Sequence, residues 1–450
     1  MILEFSITNF RSIKGRQTFS MLPSNRVKER EKPLQIVEKY PDLEVLPLAL
    51  IYGSNNAGKS NLVRAFSALR WLVMHSHRFT VGIPLKPNES FLFDKKTQKA
   101  PTIFEIDFVA TDKKRYLYTV EFSTSKILRE ELHYYRVSKT GRLTKRQLFV
   151  RNANIPIKYG DDFLGIKKPI EDRLIENVLY LSKSVQENNK NLRPILDFFQ
   201  KGVTITSMSE GYIDFQLRYF GKVVSKIDKS NKLEAINNAL RNIDSGILRI
   251  EIQKNTDIPS QYVLNEDDGE VDKIEKVKRE EILDTLKHDI RAIHRFFDDE
   301  KEIGEQYIPL TEESEGTRKF IALFAKLMDM GTYGGVFIVD ELERSLHPLL
   351  TKALLALLTN PKTNPKQAQL IFTSHDVTLF DVLDNDQINI LEKDKYGATE
   401  IYTVSDIRGL RTGIPIGKWY LSGKLGGIPN INLDQITKNL DKLYEDIATR

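Results

Sequence analysis

The run GSNNAGKS at positions 53–60 constrains this chain more than any other stretch. It follows the apolar LPLALIY and leads at once into NLVRAFSALRWLVMHS, whose apolar residues recur at helical spacing. A buried strand gains nothing from ending in two glycines, two asparagines and a lysine. Strand, glycine-rich loop and helix in that order build an anion site. Successive N–H groups of the curled loop turn inward, and the helix N-terminus adds the positive end of its dipole. Gly53, Gly58, Lys59 and Ser60 meet the spacing G-x-x-x-x-G-K-[ST], with Ser54, Asn55, Asn56 and Ala57 between the glycines and Asn61 just beyond. In such a loop Lys59 neutralises the β- and γ-phosphates of a nucleotide, and Ser60 ligates Mg²⁺.

Later segments carry matching chemistry. In GGVFIVDELERSLHP an apolar strand ends in Asp340 and Glu341. A buried parallel strand delivers its last residues to the carboxyl edge of a sheet, where ligands bind. Asp340 suits Mg²⁺, and Glu341 suits the polarisation of an attacking water. In ESEGTRKFIALFAKL, Ser314, Glu315 and Gly316 open a helix and make a second anion site. One nucleotide does not need two such sites from one subunit, whereas two copies face to face would give each nucleotide one of each. A plain helix cap is the competing reading. LIFTSHDVTLFD ends another strand in Thr373, Ser374 and His375. His375 is expected to contact the γ-phosphate, against the alternative of a hydrogen-bonded loop histidine.

The rest of the chain sets the frame. ILEFSITNF, TIFEIDFVAT, RYLYTVEFS, LREELHYYRV and TKRQLFVRN alternate with period two and predict an antiparallel meander in the first lobe, 1–185. NLRPILDFFQ, NKLEAINNALRNI and DKIEKVKREEILDTLKHDI are charged and helical in pattern, so 186–301 is expected to be a helical insertion or arm. Strands and helices then alternate through 302–450, as in a parallel sheet with crossover helices. The charge of +5 is small for 450 residues and neither demands nor excludes nucleic acid. With no cysteine there is no disulfide, thiolate metal site or cysteine nucleophile, which fits a reducing compartment. No apolar run reaches the roughly 18 residues of a membrane span, and the start MILEFSITNF lacks the features of a signal peptide. A cytoplasmic protein with no membrane partner is expected.

The order of phosphate loop, long insertion, Ser-x-Gly helix, Asp-Glu strand, SLHP and TSHD resembles that of the ABC/SMC-type ATPases. Within them the chain resembles the bacterial OLD- and RecF-related AAA-type ATPases, including RloA- and AbiL-like defence proteins. The resemblance rests on ITNFRSIKG, EESEGTRK, DELERSLHP and YLSGKLGGIPNI, at both ends of the chain, and is weakest in the middle. It implies an α/β P-loop NTPase fold with an ABC/SMC-like head of mixed and parallel sheet, using ATP and Mg²⁺ and dimerising around ATP. Ser314 and Gly316 of one subunit would cap the γ-phosphate held by Lys59 of the other. Ser345 and His347 would lie at that interface or cap the helix PLLTKALLALL. The signature S-E-G-T departs from the transporter form, and the usual metal-site glutamine has no clear match; Gln186, which follows an apolar strand in LYLSKSVQENN, is the candidate, against the alternative of a solvent-loop glutamine. Arg11 is a candidate nucleotide contact. The resemblance further implies a homodimer or higher homo-oligomer, acting as a sensor or switch in anti-phage defence with a separately encoded effector, a nuclease. No Asp-x-Asp on an apolar strand follows Glu392, so no built-in nuclease is expected. The alternatives are a RecF-like repair ATPase that binds DNA and a scaffold that binds nucleotide without hydrolysis, against which Glu341 argues.

Overall fold

The computed structural model describes the chain apart from residues 28–29, 31–32, 38, 139–140, 208, 227–230, 244–245, 255–282, 411–414, 429–431 and 449–450. Among residues 1–185 the described strands are β1 (Ile2–Thr8), β2 (Gln17–Ser20), β3 (Gln35–Val37), β4 (Tyr40–Val45), β5 (Leu48–Tyr52), β6 (Thr102–Val109), β7 (Arg115–Phe122), β8 (Ile127–Val137), β9 (Leu143–Asn152) and β10 (Ile155–Tyr159). The alternating segments pair as an antiparallel sheet in the order β10-β9-β8-β7-β6-β1-β2, and β3 and β4 form a separate hairpin. On β7, Tyr116, Tyr118, Val120 and Phe122 are buried and the residues between them are less so, which is the period-two signature of a sheet with one covered face.

The second sheet positions the site. β11 (Val203–Ser207), β15 (Val336–Asp340), β16 (Gln369–Thr373), β17 (Ile388–Lys393) and β18 (Thr399–Thr403) join β5 in the order β11-β15-β16-β5-β17-β18. All neighbours run parallel except the β17–β18 pair. The parallel strands are covered on both faces, which explains their unbroken apolar runs. Ala49, Ile51, Ile338, Ile371 and Leu391 face a core shared with the helix Lys59–His75 and the antiparallel sheet. Leu50, Tyr52, Phe337, Val339, Leu370 and Phe372 face a second core, filled by the helices Glu315–Tyr333 and Pro348–Thr359.

The middle of the chain differs from expectation. The described residues of 186–301 are not helical throughout, as an arm would be, but mix helices with strands. They begin in a short helix, supply β11 to the central sheet, and continue through helices Glu210–Lys226 and Asn231–Arg241. A three-stranded antiparallel sheet of β12 (Ile247–Lys254), β13 (His288–Asp298) and β14 (Lys301–Pro309) follows. The reason is visible in ILRIEIQK and IRAIHRFF. Their apolar residues alternate with polar and charged ones, a strand period that the helical pattern of the neighbouring segments outweighs, and β12, β13 and β14 pair accordingly. Most of the expected helix at 272–290 lies outside the described residues; its described end leads into β13.

Candidate nucleotide site at the carboxyl edge of the parallel sheet

Because β5, β15 and β16 run parallel and adjacent, their carboxyl ends open on one edge. That edge carries the loop after Tyr52, the Asp340-Glu341 pair, and Thr373 followed by Ser374 and His375. Sequence positions more than three hundred residues apart are thus assembled by strand register alone.

The loop is held by close contacts from behind. Gly58 has φ 112°, and a Cβ there would lie 2.3 Å from Thr399 Oγ1 and 3.0 Å from Ser12 Oγ. A Cβ on Gly53, φ 156°, would lie 2.4 Å from the carbonyl of Leu391. Thr399 Oγ1 donates to the Ala57 carbonyl at 2.8 Å, and Asn61 Nδ2 donates to Ser12 Oγ at 2.8 Å. The Ser54 N–H donates to the Gly427 carbonyl at 3.0 Å. Gly427 is in turn fixed by its own N–H, which donates to Glu392 at 2.8 Å. So β17, β18 and the segment YLSGKLGGIP act as a backing plate for the phosphate loop. Asn55 and Asn56 at its tip and Ser60 at the helix start are not buried, whereas Lys59 is 6% exposed. The Lys59 ammonium donates to the Gly53 and Ser54 carbonyls at 2.8 and 3.1 Å. Burial lowers its pKa, opposed by the charges of Asp340, Glu343 and Glu341. An amine held near its own loop, short of full hydration and close to carboxylates, is poised to meet phosphate oxygens.

The acidic side of the site is organised by Thr373. Its hydroxyl donates to Asp340 Oδ1 at 2.6 Å and accepts from the Glu341 N–H at 2.7 Å. Glu341 has φ 58°, a left-handed conformation that a glutamate adopts only when its surroundings impose it. Its side chain is left exposed at the edge of the site. The His375 side chain is exposed too; its N–H donates to Glu343 at 2.7 Å and its carbonyl accepts from the Tyr52 hydroxyl at 3.0 Å.

Ser314 caps the helix Glu315–Tyr333: its hydroxyl accepts from the Thr317 N–H at 3.1 Å and is itself exposed. A Cβ on Gly316 would lie 2.6 Å from the Ser345 carbonyl, so the Ser314 turn packs directly on the loop after Glu341. His347 caps its own helix, Nδ1 accepting from the Leu349 N–H at 3.3 Å. Ser345 is exposed, with φ 63°.

Strand order therefore brings Lys59, Ser60, Asp340, Glu341 and His375 to one edge, with the Ser314 helix packed behind Glu341. Arg11 lies in the turn before Ser12, beside the loop, and its guanidinium pairs with Glu89 at 3.3 Å. Gln186 is not part of the site. It ends a helix, Tyr180–Gln186, where a strand was expected, and its side chain accepts from Lys183 at 2.9 Å. That helix packs at the far end of the Lys59 helix, where the His77 N–H donates to Ser182. The Lys59 helix is 17 residues long, so that end is about 25 Å from the phosphate loop. Residues to which the sequence assigned no role are Ser12, Thr373, Lys319, Glu343, Thr399 and Gly427. The adjacency of Thr373 to His375 and of Glu343 to Glu341 was the available signal for two of them; the others act across long sequence separations.

A phosphate loop on β5, an Asp-Glu pair on the next-but-one parallel strand and a Thr-Ser-His strand between them define a P-loop nucleotide-binding fold of mixed α/β type. The chain belongs to the family described as "AAA domain, putative AbiEii toxin, Type IV TA system" (AAA_21), which matches residues 48–381. A search of curated proteins matches none. Among solved structures, an SMC head bound to the C-winged helix domain of ScpA is 14% identical, with 89% of this chain and 97% of that chain covered and a TM-score of 0.42. The recombination mediator RecF with ATP is 14% identical over 89% and 97%, with a TM-score of 0.30. Among the described residues, no helix is long and apolar enough to cross a membrane.

Proposed function

We propose that this protein is an ATP-hydrolysing switch that closes as a homodimer around ATP. The observation that carries the reading is the convergence of Lys59, Asp340, Glu341 and His375 on one edge of the parallel sheet, with Glu341 held in a left-handed conformation. The loop from Gly53 to Asn61 would cradle the phosphates and Lys59 would neutralise the β and γ groups. The Ser60 hydroxyl and the Asp340 carboxylate are hard oxygen donors of the kind Mg²⁺ takes, and they would hold it with phosphate and water completing its shell. When bound, the ion would neutralise charge that develops on the phosphates. Glu341 would orient the attacking water, and His375 would contact the γ-phosphate. Arg11, free to leave Glu89, would reach the same nucleotide. Ser314, exposed at a helix N-terminus, would complete the site of the partner subunit together with the Gly316 backbone beside it.

The biological setting in this reading is defence against phage in the cytoplasm, within the OLD- and RecF-related group, with a separately encoded nuclease as effector. The support for that setting is the resemblance of ITNFRSIKG, EESEGTRK, DELERSLHP and YLSGKLGGIPNI to that group. The direct test is a pair of variants. Lys59→Ala is expected to lose ATP binding, because the loop loses the side chain that neutralises phosphate. Glu341→Gln is expected to bind ATP normally and to turn over at least about a hundredfold more slowly. Equilibrium binding of a fluorescent ATP analogue and phosphate release measure both. Wild-type affinity in Lys59→Ala would sink the nucleotide site; wild-type turnover in Glu341→Gln would sink the hydrolytic role. Stimulation of turnover by duplex DNA would move the reading to a RecF-like DNA-binding ATPase.

A further inference from the structure

We propose that Lys319 and Glu343 are positioning residues for this site: they clamp the Ser314 helix, the Glu341 turn and the His375 loop into one unit. Each acts through the backbone of a site residue, Lys319 through the Glu341 carbonyl and Glu343 through the His375 N–H. The inference rests on the ATPase reading above.

Lys319 is a fully buried lysine, 0% exposed, on the helix Glu315–Tyr333. A lysine there is costly unless its donors are used. Its ammonium donates to the Glu341 carbonyl at 3.2 Å and to the Arg344 carbonyl. Glu341 is thereby held from both sides, its N–H by Thr373 and its carbonyl by Lys319. A non-glycine residue at φ 58° is strained and persists only where the surroundings over-determine it. These two bonds supply that determination together with two backbone bonds of the same turn, Leu342 N–H to the Thr373 carbonyl at 3.1 Å and Arg344 N–H to the Glu341 carbonyl at 3.2 Å.

Glu343 extends the clamp. It sits in the turn that Lys319 holds, and its Oε1 accepts from the His375 N–H at 2.7 Å. Glu343 Oε2 is buried without a hydrogen-bond partner, so the carboxylate is committed to this place for the sake of the one bond and of the two nearby ammonium groups. Lys59 and Lys319 both feel its charge. Burial lowers the Lys319 pKa to about 8, against the pull of Glu343, Glu315 and Glu341 and together with repulsion from Arg344.

Ser314 and Lys319 are five residues apart on one helix, about 7 Å along its axis. Gly316, between them, packs on the Ser345 carbonyl at a distance that admits no side chain. A contact made at Ser314 by a partner's nucleotide therefore reaches the Glu341 and His375 backbones of the same subunit through Lys319 and Glu343. The two residues would link what happens at one composite site to the geometry of the other.

The test compares Lys319→Met, which keeps the length and removes the amine, with Glu343→Leu and Glu343→Gln. Lys319→Met and Glu343→Leu are expected to lower kcat at least about tenfold while the KM for ATP and the affinity for an ATP analogue stay within about twofold. Glu343→Gln keeps an acceptor for the His375 N–H and is expected to retain at least about half of the wild-type kcat. Amide hydrogen exchange on the full chain without nucleotide is the second readout. Exchange should speed up at 341–344 in Lys319→Met and at 374–376 in Glu343→Leu. If Lys319→Met does not fold, the two Glu343 variants decide. Wild-type kcat in Lys319→Met and Glu343→Leu, with Glu341→Gln inactive, overturns the clamp and leaves the ATPase reading standing. If the wild-type protein itself does not hydrolyse ATP, that reading fails, and unchanged exchange in the variants overturns the clamp separately.

Discussion

A single hydrogen atom in place of a methyl group decides whether the phosphate loop can form. Gly58 is at φ 112°, a region that L side chains rarely adopt, and it is also pressed against Thr399 and Ser12. Gly58→Ala therefore meets a conformational cost and a clash at once. We expect ATP affinity to fall at least about tenfold and stability to fall by about 1–3 kcal/mol. Titration with a fluorescent ATP analogue and a denaturant melt check the two effects; an alanine variant with wild-type affinity would show that the loop is not braced from behind. Gly53, Gly58, Lys59, Ser60, Asp340 and Glu341 were legible because their chemistry is local in sequence and depends on backbone curl and a strand end. Thr399, which donates to the Ala57 carbonyl, was not legible. Nothing in its own neighbourhood distinguishes it from any strand threonine, and its role exists only once β18 lies beside the loop.

At the scale of elements, the helix Tyr180–Gln186 shows why one site residue was misplaced. NVLYLS reads as an apolar strand, and the helix has no side-chain cap of its own. Its first N–H groups are satisfied instead by Glu130 on β8, which accepts from Tyr180 N at 2.6 Å and Leu181 N at 2.9 Å. Glu130 is fully buried, also accepts from the Tyr118 hydroxyl at 2.9 Å, and faces Arg151 at 3.6 Å. Capping from fifty residues away cannot be read from the helix's own sequence. Glu130→Ala would leave two helix N–H groups and a tyrosine hydroxyl without their acceptor, and would strip the buried Arg151 guanidinium, which keeps the Val178 and Ile175 carbonyls, of its counter-charge. The expected loss is about 3–5 kcal/mol, measured by denaturant unfolding. A loss below about 1 kcal/mol would mean that water replaces the carboxylate. The central strands present the opposite case. β5, β15 and β16 were legible because a strand covered on both faces must be apolar throughout.

For the whole molecule, the question is whether one chain makes a complete site. The phosphate loop already brings one helix N-terminus to the nucleotide, and the Ser314 helix offers a second, with its capping hydroxyl exposed. In the proposed dimer each nucleotide would take the first from one subunit and the second from its partner. Ser314→Arg should then spare ATP binding at Lys59 and abolish turnover. Mixed with Lys59→Ala subunits it should regain activity, because each heterodimer pairs one intact loop with one intact Ser314 turn. Phosphate release against mixing ratio, after subunit exchange is established, gives the answer. Full activity of Ser314→Arg alone at a concentration where only monomer exists would reduce the Ser314 turn to a helix cap.

What the sequence by itself determined was the chemistry that short-range geometry enforces: a phosphate loop between a strand and a helix, acids at a strand end, a capped helix with glycine in its first turn, and an alternating meander. Each depends on neighbours within a few residues, so spacing alone carries it. Only the tertiary structure decided which strands lie side by side, and with that the edge on which Lys59, Asp340, Glu341 and His375 meet. It also decided that charged, alternating segments in the middle of the chain pair as β12, β13 and β14, since pairing partners are not encoded in periodicity. And it placed Lys319, a residue whose type suggests solvent, at 0% exposure beneath Glu341. A buried ammonium is stable only where distant carbonyls converge on it, and that convergence is a property of the fold.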